Sequence, residues 1–181
     1  MAYKIHQSLG KIEIRPFIKS DIFVIVSCFS AHQNPKSQSI FDVYFSEQEA
    51  GDRLVWIAYY GDQFAGYCTL KWQSDYESFR EQGISEIKDL NVLPSFRCKG
   101  IGSKLLETAE NEAFKRGNTV GIGAGLYEGY GNAQKLYIAR NYIPDGLGIT
   151  YNYMYVEYGE KIPLDDDLVL WFTKNKLNDK N

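Results

Sequence analysis

Residues 90–102 read LNVLPSFRCKGIG, and their order decides the reading of the chain: an apolar run, a proline turn and a basic loop punctuated by glycine lead straight into a helix. Gly100 and Gly102 let backbone approach a ligand closely. The helix that follows begins with amide donors that have no partner within it, and such donors favour an anion. Arg97, Lys99 and Lys104 surround the helix start, while the first acid after the loop is Glu107, a full turn inside. Helix starts ordinarily carry acids in their first turn. Here the positive end of the dipole is left for a phosphate-bearing ligand to neutralise.

Outward from this junction the elements alternate in type. Ile84 to Val92 predicts the strand that runs into it, stopped by Pro94. On the far side Ile101, Leu105, Ala109 and Ala113 recur every four residues and Leu106 widens the stripe, which predicts a helix lying on a sheet. Gly117 stands where a left-handed cap would end that helix. Thr119 to Leu126, TVGIGAGL, is a second apolar run so rich in glycine that backbone or ligand is expected to pass close to it. Asn132 to Asn141 predicts a short amphipathic helix with Ala133, Leu136 and Tyr137 on one face and Asn141 as its cap.

Towards the N-terminus, Lys11 to Phe17 alternates polar and apolar residues as a first strand would. Ser20 is placed to cap a helix with Asp21 in its first turn and Ile22, Val26 and Phe29 among its apolar positions. Ala31 to Ser39 reads as a loop and Ser46 to Asp52 as a short helix. Leu54 to Tyr60 and Gln63 to Trp72 form a hairpin about Gly61 and Asp62, and Gln73 to Gly83 reads as a loop. Beyond Asn141, Pro144 to Gly146 signals a turn, Tyr151, Tyr153 and Tyr155 alternate as in a strand, and Leu168 to Thr173 is a last strand before a frayed tail after Lys174. The expected fold class is α/β, one domain over residues 1–181.

Composition excludes more than it selects. A net charge of -3 argues against a general nucleic-acid binder. Cys28, Cys68 and Cys98 are odd in number and far apart, as reduced thiols of a cytoplasmic protein would be. They show no metal-ligand spacing, His6 and His32 are the only histidines, and no metal is expected. The opening MAYKIHQSLG lacks the apolar core of a signal peptide, no run is long enough to span a membrane, and no membrane partner is expected. A monomer or a homodimer suits the chain.

Two familiar phosphate-binding patterns fail. A GxGxxG fingerprint would need glycine where Leu105 stands, or, starting from Gly121 and Gly123, where Leu126 stands; GxxxxGK[ST] is absent. What remains is Arg-x-x-Gly-x-Gly at Arg97, Gly100 and Gly102. An LxV strand, a proline turn, this loop, a helix, another strand and then NAQKLY together resemble the GNAT superfamily of acetyl-CoA-dependent N-acetyltransferases. The resemblance is most specific from Ile84 to Tyr142, and EIRPF followed by SD near the start resembles the family's first strand and helix. It implies a mixed, mostly antiparallel, splayed sheet of about six to seven strands flanked by about four helices. It also implies that acetyl-CoA is the co-substrate, its pyrophosphate surrounded by Arg97, Cys98, Lys99, Gly100, Ile101, Gly102 and Ser103. Strand backbone from Leu90 through Asn91 to Val92 would bond the pantetheine arm, and Asn132 and Tyr137 would touch the cofactor from the other side. Cys98 departs from the family, which often has glycine there.

A transferase of this kind needs a base, because an amine of reference pKa near ~10.4 is almost wholly protonated at neutral pH. SEIKDLNV offers two carboxylates, Glu86 and Asp89, which should face opposite sides of a strand unless a bulge intervenes. The resemblance implies Glu86 as the base, with Asp89 as the alternative, and Tyr137 as the general acid. The Val92 amide is a candidate for stabilising charge on the carbonyl oxygen. The acceptor would be an amine-bearing small molecule or peptide. A module that binds acyl-CoA without turning it over would use the same cradle. Asp165, Asp166 and Asp167 are either solvated turn residues or contacts for a cationic acceptor.

Overall fold

The computed structural model describes residues 10–31 and 35–177. Eight strands form one sheet: β1 (Ile12–Pro16), β2 (Arg53–Tyr60), β3 (Gln63–Lys71), β4 (Ser85–Val92), β5 (Thr119–Gly125), β6 (Ile143–Tyr151), β7 (Met154–Tyr155) and β8 (Leu168–Asn175). Their order across the sheet is β1-β2-β3-β4-β5-β8-β6-β7. Every neighbouring pair is antiparallel except β4 and β5. The helices are α1 (Asp21–Ser30), α2 (Gln38–Ala50), α3 (Glu77–Glu81), α4 (Ile101–Arg116) and α5 (Gly131–Ala139). The mixed, mostly antiparallel α/β class is as expected, with one strand and one helix more than the sequence suggests.

Burial explains why β2 and β3 read as nearly unbroken apolar runs: both of their faces are covered. On one face α4 lays Ile101, Leu105, Leu106, Ala109 and Ala113 against Ala58, Ala65, Leu70, Ile87 and Ile122, joined by Tyr137 from α5. On the other, Ile22, Ile25 and Phe29 of α1 and Phe41 of α2 pack on Val55, Ile57, Phe64 and Tyr67. Burying each of the larger side chains contributes about 1.5–3 kcal/mol. A third cluster, Tyr76, Phe79, Ile84 and Trp171, covers the sheet beyond β4. Behind the sheet's second half, Glu110 of α4 is buried between Arg140 (2.6 Å) and Lys174 (2.7 Å), tying α4 to the end of α5 and to β8.

Several local expectations need correction. Ser20 lies in helical conformation and makes no capping bond. Asp21, the first helical residue, instead reaches back to the Ile18 amide at 2.8 Å while gripping Arg15 through both carboxylate oxygens. The second helix begins at Gln38, not near Ser46, and fully buried Phe41 anchors its first turns against the sheet. Gln73 to Gly83 contains α3, held down by Phe79. Gly117 is extended (φ -150°) and not left-handed, whereas Asn141 is left-handed (φ 66°) with its amide on the Ile138 carbonyl. Tyr153 sits at φ 67° in the tight turn between β6 and β7, so it does not follow the strand alternation. β6 begins at Ile143, and Gly146 and Gly148 make an irregularity within it where only a turn is expected. β8 runs one residue past Lys174, to Asn175, and 178–181 lie outside the described residues, as do His6, His32 and most of the opening MAYKIHQSLG. Among the described residues no helix is long and apolar enough to cross a membrane.

The glycines of β5 are there for side chains. A Cβ on Gly121 would run into the Phe79 ring, one on Gly123 would meet Val169 and Trp171, and one on Gly125 would meet the Tyr130 ring. Gly121→Ala is therefore expected to cost about 1–3 kcal/mol through overpacking, read as a lower urea midpoint with an unchanged slope.

Candidate active site

The site begins where the sheet fails to stay paired. β4 and β5 are in register at Ser85 with Val120, Glu86 with Gly121 and Ile87 with Ile122, and no further pairs follow. On its other edge β4 remains paired with β3, but Lys88 faces Thr69 and Asn91 faces Tyr67, so Asp89 and Leu90 together stand opposite the single residue Cys68. This is a β-bulge, with Asp89 at φ 55°. The Leu93 amide donates to the Ala65 carbonyl at 2.9 Å. Alternation along the strand then turns the Val92 and Leu90 backbone towards the open side, away from β3. Gly66 permits the tight approach, since a Cβ there would strike the Asn91 carbonyl.

A cavity of about 1030 Å³ runs along this opening. It is lined by Glu86, Asp89, Leu90, Asn91, Val92, Arg97, Cys98, Gly100, Ile101, Gly102, Ser103, Asn132 and Tyr137, so every candidate residue but one meets in it. The exception is Lys99, whose ammonium lies over the rings of Tyr60 (4.9 Å) and Phe96 (5.1 Å). Arg97 donates Nε to the Val92 carbonyl at 3.2 Å. A 3-10 turn over Pro94–Phe96 leads into the loop, Cys98 (φ 57°) and Gly100 (φ 84°) are left-handed, and buried Ile101 pins the start of α4. α4 has no side-chain cap and no acid in its first turn, and its bonding starts with the Lys104 amide on the Gly100 carbonyl. The amides of Ile101, Gly102 and Ser103 thus have no helical partner.

The two carboxylates differ sharply. Glu86 is 3% exposed; one oxygen accepts the Ser74 hydroxyl at 2.6 Å and the other lies 4.0 Å from the Lys88 ammonium. Burial raises its affinity for a proton, against the opposing pull of Lys88 and the Ser74 hydrogen bond. Asp89 instead receives Tyr67 (2.7 Å) and Tyr44 (2.9 Å) on one oxygen, and Asn91 (2.6 Å) and Lys36 (3.4 Å) on the other. Both line the one cavity, which the bulge makes possible. Tyr137 is 4% exposed, packed edge-on to Phe172, and burial raises its phenol well above the ordinary tyrosine value.

The profile of the acetyltransferase (GNAT) family matches residues 23–140. This chain belongs to the GNAT family. Among solved structures it is similar to the N-acetyltransferase of Staphylococcus aureus Mu50 (18% identity, 92% of this chain and 99% of that one, TM-score 0.67). It is likewise similar to yncA of Salmonella typhimurium, solved with its cofactor acetyl-CoA (18%, 91% and 93%, 0.63). A third is the ribosomal-protein-S18-alanine N-acetyltransferase of Escherichia coli (16%, 94% and 99%, 0.65). Acetyl-CoA is the co-substrate of GNAT enzymes. Among the described residues no group of His, Cys, Asp or Glu is arranged to hold a metal ion.

At the end of this GNAT cavity away from the loop stand groups that the sequence did not single out. Lys88 is held by Asp75 (2.9 Å) and the Tyr153 hydroxyl (2.7 Å); burial opposes its charge, but Glu86, Tyr153 and Asp75 outweigh it and hold the ammonium above the ordinary lysine range. Lys88 lies two residues from Glu86, a same-face spacing that was available as a signal. Ser74, Tyr44, Tyr67 and Lys36 arrive through tertiary packing and left none. Of the acidic triplet, Asp165 is a turn residue, accepting the Asp167 amide and the Tyr151 hydroxyl. Asp166 and Asp167 line the cavity, Asp166 accepting Tyr127 at 2.6 Å and Tyr130 at 3.2 Å.

Two outcomes follow for stability. Folding raises the pKa of Glu86, so the native state holds the proton more tightly and stability falls as pH rises through the window from the unfolded value upward. Glu86→Gln is expected to be more stable than the wild type at pH 7, with the advantage vanishing below about pH 4.3, the reference value for glutamate, in denaturant titrations across pH. Left-handed backbone at Cys98 costs about 1 kcal/mol, so Cys98→Gly should fold with equal or greater stability, while β-branched Cys98→Val should lose at least that amount.

Proposed function

We propose that this protein moves the acetyl group of acetyl-CoA directly to a primary amine of a small molecule or peptide. The reading is carried by one observation: a loop of partnerless amides and a buried carboxylate with raised proton affinity open into the same cavity, across an unpaired edge of strand. The cradle suits the co-substrate in size and chemistry. Ile101, Gly102 and Ser103 present amides to a pyrophosphate beside Arg97 at the start of α4. The open backbone of Leu90 and Val92 offers the ladder a pantetheine arm can complete, with Asn91 between them and Asn132 on the opposite wall.

Acetyl-CoA supplies an activated thioester when bound. Glu86, which lines the cavity, takes the proton that the acceptor ammonium must lose, directly or through water, one oxygen fixed by Ser74 and the other 4.0 Å from the Lys88 ammonium. The Val92 amide, turned to the open side, stabilises negative charge on the carbonyl oxygen. Tyr137, kept protonated by burial, gives its proton to the leaving sulfur. Asp89 is poorly suited as the base because its oxygens already receive four donors. Peptide acceptors have a precedent in the protein alanine named for the Escherichia coli structure.

Isothermal titration is expected to give saturable acetyl-CoA binding, and a panel of amines and peptides should include one that releases free coenzyme A. Binding without release for any acceptor would favour a noncatalytic acyl-CoA module. Glu86→Gln and Tyr137→Phe should each lower kcat by about a hundredfold or more while leaving acetyl-CoA affinity nearly unchanged; normal turnover in both would reject these roles.

A further inference from the structure

Three lysines line the cavity, and their partners separate them. Lys88 is committed to Asp75, Tyr153 and Glu86. Lys135 is exposed on α5 beside Asn132 and Leu136, at the end occupied by the loop. Lys36 differs from both. It follows Pro35 two residues before α2, its side chain is 18% exposed, and its ammonium, at the cavity wall, lies 3.4 Å from one carboxylate oxygen of Asp89. That is the longest of the four contacts to Asp89, whose other donors, Tyr67, Tyr44 and Asn91, are neutral and belong to the sheet and α2. Asp89 and Leu90 form the bulge from which the open edge of β4 begins. A primary amine of this chain therefore lines the same cavity as Glu86, Tyr137 and the open edge of β4.

We propose that Lys36 is the protein's own acceptor, acetylated on Nζ within the same molecule; this rests on the transferase reading above. In the step, Nζ loses a proton, through water or Glu86, and its lone pair attacks the thioester carbonyl carbon. The C–N bond forms, the C–S bond breaks and the sulfur takes up a proton, so that lysine ammonium and acetyl-CoA give acetyl-lysine, coenzyme A and one proton. The product is neutral and can no longer pair with Asp89. Acetylation thus removes the internal cation from that carboxylate and leaves it three neutral donors. Proximity is what distinguishes Lys36 from the exposed lysines, since an amine held beside its electrophile reacts as though at high concentration.

The whole protein, incubated with acetyl-CoA and no other acceptor, is expected to gain one acetyl group that peptide mass spectrometry maps to Lys36. The rate should be independent of protein concentration and at least about tenfold above that of Lys36 in the urea-unfolded chain, the margin that proximity supplies. Lys36→Arg, which keeps the charge, should abolish the modification while acetyl-CoA binding by isothermal titration persists. Acetyl groups spread evenly over exposed lysines, a rate that rises with protein concentration, or an unmodified Lys36 in a protein that binds acetyl-CoA would each overturn the assignment. Loss of acetyl-CoA binding by the unmodified wild type would overturn instead the transferase reading beneath it.

Discussion

The bulge at Asp89 and Leu90 is the constraint on which the site depends. An extra residue in one strand of a pair bends that strand and turns its backbone, and here β4 has lost its neighbour β5 one residue earlier. A left-handed aspartate in mid-strand is costly unless its surroundings insist on it. They do so through Tyr67 of β3 and Tyr44 of α2, both on the same carboxylate oxygen, and through Asn91 two residues along. Burial first, and then the Asp89 charge, keep both phenols protonated as donors. The aromatic core around Phe41 and Tyr67 is thereby coupled to the shape of the cavity: the rings that stabilise one face of the sheet also hold the carboxylate that opens its edge.

The cavity is walled by backbone at one end and by side chains at the other. The loop and the start of α4 contribute amides, which need only glycine, a proline turn and the absence of an acid, so the loop is insensitive to most side-chain identities. Cys98 illustrates this: its conformation is one that glycine takes without strain. The other end works through burial. Glu86, Tyr137 and Lys88 each have their proton affinity displaced upward, the first two by exclusion of water and the third by carboxylates and a phenol that overcome it.

What the sequence disclosed follows the same division. The loop was legible because its parts are consecutive: the run from Leu90 to Gly102 and the four-residue period from Ile101 to Ala113 are local patterns with local causes. The family resemblance added Glu86 and Tyr137, and both line the cavity. The bulge was legible only as a condition, since nothing in SEIKDLNV compels Asp89 to be left-handed; Tyr44 and Tyr67, distant in sequence, do that. For the same reason Ser74 and Lys36 were silent, and Lys99, conspicuous among loop cations, spends its charge on Tyr60 and Phe96. The early start of α2 was hidden by weak local preference, since β-branched and aromatic residues crowd Ile40 to Phe45 and it is tertiary packing of Phe41 that makes them a helix.

The pairing of β4 with β5 over Ser85 to Ile87, backed by the buried Glu110 clasp among α4, Arg140 and β8, gives the opening a closed apex. A gap between two strands fastened at one end is a wedge, and a wedge gauges thickness as a function of depth. Slender chains can lie along its mouth, while bulk added near the apex meets hydrogen-bonded backbone that cannot yield without unzipping the sheet. The depth of the opening is in this way set by the residue at which the β4–β5 ladder ends, Ile87 facing Ile122.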